Sequence, residues 1–145
     1  NSAISINNEI SFLFKVDSRF IHLYDEHILG VSSFDRNHLV KHGVKKKHIV
    51  KEKINSLSIN ELLKKHNITE IDLLYVDAEG YDGKIVKDFI SNSSLIPIII
   101  FEYIHVDNIV FHELVLKLKK INYKFFSINE NIICYPPNRI INIDT

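Results

Sequence analysis

Three acidic side chains are spaced closely in Asp77-Ala78-Glu79-Gly80-Tyr81-Asp82, and a further one, Glu102, closes the next apolar run. Asp77 and Glu79 have one residue between them, so both can reach one pocket if the chain bends there, and Gly80 permits the bend. Such a pair can ligate a metal, orient a hydroxyl or take a proton as a general base. The structural alternative is that Asp77 caps the next helix while Glu79 is solvated. Glu102 follows six residues that are all apolar, and a carboxylate there belongs at a strand end and not in a core. Carboxylates on adjacent strand ends should raise one another's pKa values, as a base working near neutrality requires. His105 stands just beyond Glu102 and can join them.

The elements that must hold these groups follow from periodicity. Ile71 to Asp77 is a near-continuous apolar run that opens onto acids, the pattern of a buried parallel strand delivering side chains to the carboxyl edge of a sheet. A helix is expected from about Asp82 to Ile90, with Ile85, Val86, Phe89 and Ile90 at helical spacing. Ile96 to Phe101 is the next strand, apolar on both faces and therefore central, with Pro97 near its start. A helix from about Asn108 to Ile121 should bury Phe111, Leu114, Val115 and Leu118. Tyr123 to Ile128 and Ile132 to Tyr135 then read as a hairpin. This order predicts α/β architecture, the second half of a doubly wound sheet ending in an antiparallel pair.

The first half of the chain is less regular. Ala3 to Ile6 and Ile10 to Val16 are strand-like, with Asn7-Asn8 between them as hairpin turn chemistry. A short helix fits Asp35 to Lys41, and His48 to Ile54 reads as a strand. Ser58-Ile59-Asn60-Glu61 has the form of a capping box and predicts a helix running to about Asn67.

Composition narrows the function. The 145 residues carry 18 basic and 18 acidic side chains, so a net charge of zero argues against nucleic acid or anionic lipid and for a small-molecule or protein partner. One cysteine, Cys134, cannot form an internal disulfide, which favours a reducing, cytoplasmic setting; its place in a strand makes it core and not nucleophile. No apolar run approaches the roughly 18 residues needed to span a bilayer. The absence of Met points to a processed chain or to one that begins partway through a longer protein. His38 and His42 have ligand spacing without a third ligand, the other histidines read mostly as surface residues, and Lys45-Lys46-Lys47 reads as a solvated turn. No glycine loop that cradles phosphates is present.

The string IDLLYVDAEGYDGKIVKDF resembles the signature of FkbM-type methyltransferases, a strand ending in I-D-x-E-G-x-E followed by a helix. Its surroundings agree in order: NSAIS with NNEISF, GVSSF, KEKINSLSINELLKKHNITEID and IIIFEY each resemble a successive stretch of that family. Tyr75 replaces a common Lys, Asp82 a common Glu, and Ser58 an Asp. The resemblance implies a single domain over 1–145, with a class I, Rossmann-like methyltransferase fold and S-adenosylmethionine as cofactor. It also implies that the chain begins at the family's third strand, without the first strand and cofactor loop.

The implied chemistry is in-line displacement of an activated methyl group by a hydroxyl oxygen of a sugar or polyketide-like small molecule, with a carboxylate taking the proton. Carried over residue by residue, Asp77 is the group nearest the methyl, Glu79 a base or orienter, and Glu102 the third catalytic candidate. Ser2 and Ala3 match a strand end that contacts the adenine ring, so Ser2, Ala3 and Asp77 are the cofactor-binding candidates, with Ser32 and Ser33 lining the site. A metal bridging Asp77 and Glu102 is a minor variant, and no dedicated metal site is assigned. Two other classes stay open: a non-catalytic methyltransferase-like interaction module, and a metal-dependent hydrolase using the carboxylates. An open sheet edge would favour pairing with a second copy.

Overall fold

The computed structural model describes residues 2–6 and 11–137. They form a mixed α/β protein of two compact units, Asn1–Ser58 and Ile59–Thr145.

In the first unit, strand β2 (Ser11–Val16) is the centre of an antiparallel sheet, between β3 (Ser32–Ser33) and β4 (Ile49–Ile54). Val16, Ile28, Val31, Leu39 and Val44 form the core, with Phe14, Tyr24 and Ile49 packed against it. Helix α1 (Glu26–Leu29) supplies Ile28, and α2 (Arg36–Lys41) supplies Leu39. The short helix expected here exists because Asp35 caps it, accepting the N–H of Asn37 at 2.9 Å. It ends where Gly43, at φ +86°, closes a Schellman motif through Gly43 N–H to Val40 and Val44 N–H to Leu39.

The expected hairpin of the first two strands is not what the described residues make. Strand β1 (Ala3–Ile4) pairs in parallel with β5 (Ser56–Leu57), while β2 pairs with β3 and β4. The Asn7-Asn8 turn itself lies outside the described residues. Local turn chemistry gives no view of a partner strand some fifty residues away, and that partner takes the backbone bonds of β1.

In the second unit, α3 (Ile59–Lys65) follows Ser58 as the capping-box pattern predicts and buries Ile59 and Leu63. A parallel pair, β6 (Leu73–Val76) and β7 (Ile98–Glu102), is joined through α4 (Asp82–Asn92). Helix α5 (Asn108–Lys120) leads to the hairpin β8 (Lys124–Ile128) and β9 (Asn131–Tyr135), giving the sheet order β6-β7-β9-β8. Strand β7 is interior, as its sequence predicts, and Pro97 stands just before it, where no ladder N–H is needed. One sheet face carries Val76, Ile99, Phe101, Ile132 and Cys134, all buried. Helix α4 packs on β6 and β7, and α5 packs on α4. Of the four positions expected to face inward from α5, Leu114 and Leu118 are fully buried, whereas Phe111 and Val115 are half-buried.

Two further helices stop at asparagines with a left-handed backbone. Asn67 (φ +52°) ends α3 and Asn122 (φ +62°) ends α5, each with the paired N–H bonds of a Schellman motif. Asparagine tolerates this conformation better than other side chains with a Cβ, so the two helices have firm ends. Among the described residues, no helix is long and apolar enough to cross a membrane.

Candidate active site

Parallel strands β6 and β7 end side by side, with Val76 in register with Phe101. Each partner is followed by an acid, Asp77 after Val76 and Glu102 after Phe101, with Asp77 exposed and Glu102 half-buried. Adjacent strands lie roughly 4.8 Å apart, so the two carboxylates leave the same edge as neighbours. The chain then turns sharply through Ala78, Glu79, Gly80 and Tyr81 before α4 begins.

The turn is held by a residue that sequence reasoning placed in the acidic cluster without assigning it a role. Asp82 is completely buried, and its two carboxylate oxygens accept the N–H groups of Ala78 and Gly80, each at 3.1 Å. Asp77 does not cap α4: the N-cap is Tyr81, which makes no side-chain cap bond. Burial pushes the Asp82 carboxyl above the usual carboxylate range, the two N–H donors pull against that shift, and the charge of Asp77 adds to it.

The backbone inside this grip is unusual. Glu79 lies at φ +50° and Gly80 at φ +88°. Among the described residues, the other non-glycine positions with positive φ are Asn67, Asn122 and Asn129. Glutamate has no local side-chain advantage there, and the left-handed conformation costs a residue of this kind about 1–3 kcal/mol. Gly80 is required for a second reason, because a Cβ on it would sit 2.8 Å from the carbonyl oxygen of His105. The bend expected at Gly80 is therefore present, and it is seated against the segment that follows β7.

Glu102 also lies above the ordinary glutamate range. Its burial is the largest cause; His105 opposes the shift, while Asp82, Asp77 and Glu79 each add to it. At Glu102 the neighbouring carboxylates add to the shift, but desolvation outranks their repulsion. Among the described residues, Asp77, Glu79 and Glu102 do not bring three ligand atoms within 4.8 Å of one another, so they do not form a three-ligand metal cluster among themselves.

Residues 3–125 match the Methyltransferase FkbM domain. The chain belongs to this family. No curated protein and no solved structure matches it. The FkbM match runs from the first residue of β1 into β8, so it includes both strand ends and the Asp82-held turn.

The other positions carried over from the FkbM resemblance lie in the first unit. Ser2 is exposed, Ala3 opens β1 opposite Ser56, and Ser32 and Ser33 form β3. Asp77, Glu79 and Glu102 lie together in the second unit. Within α2, the His38 and His42 rings meet at 4.5 Å between centroids, as four-residue spacing on a helix requires. His48, in contrast to the surface reading of most histidines, is buried between Phe20 and Tyr24. Cys134 is a fully buried free thiol whose pKa burial raises to about 12, the state of an inert core residue.

Proposed function

We propose that this FkbM domain takes part in methyl transfer from S-adenosylmethionine to a hydroxyl oxygen of a small molecule, a sugar or polyketide-like acceptor. What supports the reading is that Asp77 and Glu102 directly follow paired residues of two parallel strands, and that the turn after Asp77 carries Glu79 in a strained backbone. The donor set fits the cofactor. A sulfonium and an ammonium are cations, and three carboxylates offer them complementary charge, with Asp77 the residue to hold that charged end. When bound, the cofactor supplies an electrophilic methyl group.

The chain's own contribution is orientation and proton transfer. Glu102, half-buried at a strand end and held above the usual glutamate range, accepts the hydroxyl proton at its carboxylate oxygen. Glu79 accepts a hydrogen bond from the acceptor hydroxyl and fixes its direction. The reading is tested by titration calorimetry with S-adenosylhomocysteine, together with transfer of labelled methyl to a panel of sugar and polyketide alcohols. Binding and labelled product are expected; Asp77→Asn should abolish turnover, and full turnover in that variant would end the assignment.

A further inference from the structure

Asp82 is itself closed to solvent. It is fully buried at the first turn of α4, and its bonds run to the peptide groups on either side of Glu79. One oxygen takes the N–H of Ala78 and the other that of Gly80, so the residue between them is gripped from both flanks. At Gly80 the carbonyl of His105 stands so close that a Cβ would come within 2.8 Å of its oxygen. Between these two restraints Glu79 is kept at φ +50°, a conformation a free glutamate would leave.

We infer that Asp82 is a positioning residue that acts through Glu79: its carboxylate holds the left-handed turn that carries Glu79, two residues beyond Asp77. Its catalytic meaning rests on the methyl-transfer reading above; the grip itself does not. The chemistry of the side chain explains why a carboxylate is used. Both oxygens of Asp accept, whereas Asn has one accepting oxygen and an NH2 group that would face a backbone N–H. Glu, the residue the resembled signature commonly has here, keeps two acceptors on a stem one methylene longer.

The test uses Asp82→Asn, Asp82→Glu and Glu79→Gln, alone and combined, in the full chain and at a temperature where each variant is folded. Amide exchange read by NMR should quicken at least tenfold at Ala78 and Gly80 in Asp82→Asn, with α5 amides unchanged. The kcat for methyl transfer should fall at least tenfold with KM moving less than threefold, and Asp82→Glu should recover most of it. A double-mutant cycle separates positioning from general damage: in a Glu79→Gln background, Asp82→Asn should cost little more. Full additivity, or unchanged exchange at both amides, would overturn the inference. Should the wild-type chain neither bind S-adenosylhomocysteine nor transfer methyl, the methyl-transfer reading fails, while the exchange data still decide whether Asp82 grips Glu79. Should Asp82→Asn not fold, Asp82→Ser, which keeps at most one acceptor for the two N–H groups, takes its place in the cycle, where an effect surviving undiminished in Glu79→Gln overturns the inference.

Discussion

Gly80 lies directly against the carbonyl oxygen of His105, close enough that a Cβ would come within 2.8 Å of it. The contact joins the turn after β6 to the segment after β7, so one glycine fixes the spacing of two strand-end loops. Gly80→Ala should destabilise the second unit by about 2 kcal/mol or more, since it combines left-handed strain with a collision against backbone that cannot rotate aside. Urea denaturation followed by tryptophan-free near-UV absorbance or by far-UV circular dichroism would measure it. A midpoint equal to wild type would mean that the two loops part easily.

Glu79 sets stability against function. Its φ of +50° suits glycine, so Glu79→Gly should raise stability by about 1 kcal/mol while removing the hydroxyl-orienting carboxylate. Glu79→Gln keeps the strain and should leave the denaturation midpoint close to wild type. Equal losses of stability in both variants would show that the side chain itself holds the turn.

Glu102 links the site to pH. A proton acceptor must be deprotonated, and its raised pKa moves the acid limb of the pH–rate profile upward from the usual glutamate range. Removing a neighbouring negative charge lowers that pKa, so Asp77→Asn should shift any residual activity, or the Glu102 titration followed by carboxyl-carbon NMR, towards lower pH. The stability sign is the opposite of that for an ordinary salt-bridged acid. With the folded pKa above the unfolded one, the favourable contribution is present at low pH and is lost as pH rises through the folded value. Glu102→Gln should therefore raise the denaturation midpoint at neutral pH while reducing turnover; a lowered midpoint would show that the ionised carboxylate is a structural partner.

The first unit should weaken in mild acid, through His48. Tyr24 Oη accepts the N–H of Lys45 at 3.0 Å and is hydrogen-bonded to His48 Nδ1 at 2.7 Å. The ring also stacks on Phe20 at 4.0 Å between centroids. Burial first, then the charges of Lys47 and Lys45, lower the His48 pKa, against a smaller opposing pull from Asp17. A depressed folded pKa means that stability is fully present above the unfolded value, near 6.5, and declines as pH falls from there towards the folded value. Asp17, lowered to about 2 chiefly by its bonds with Arg19, adds a second loss between the ordinary aspartate value and pH 2. An NMR titration of the His48 ring should give a value below 6.5, and His48→Gln should flatten the upper part of the stability profile.

Much of the second unit is readable from sequence because its signals are local. Apolar runs at strand and helix periods place β6, α4, β7, α5 and the terminal hairpin within a few residues of their observed bounds. The carboxylates at the two strand ends are equally legible, since an acid after a buried run has to emerge at an edge. Less is readable from residue 17 to 48, where short elements are set by caps and turns such as Asp35 and Gly43.

What the amino-acid order alone determined is therefore the α/β alternation, the edge where the acids emerge, and the family those residues resemble. What only the tertiary structure decided is which groups are gripped and which are presented. Nothing in the spacing distinguishes Asp82 from Asp77 as the residue that organises the turn; burial and two N–H donors do. Nor does local pattern reveal that β1 pairs with β5, that His48 is buried between two rings, or that Glu79 lies in a left-handed backbone. Periodicity is a property of neighbours in the chain, whereas burial, strand partnership and strain arise only when distant segments are packed together.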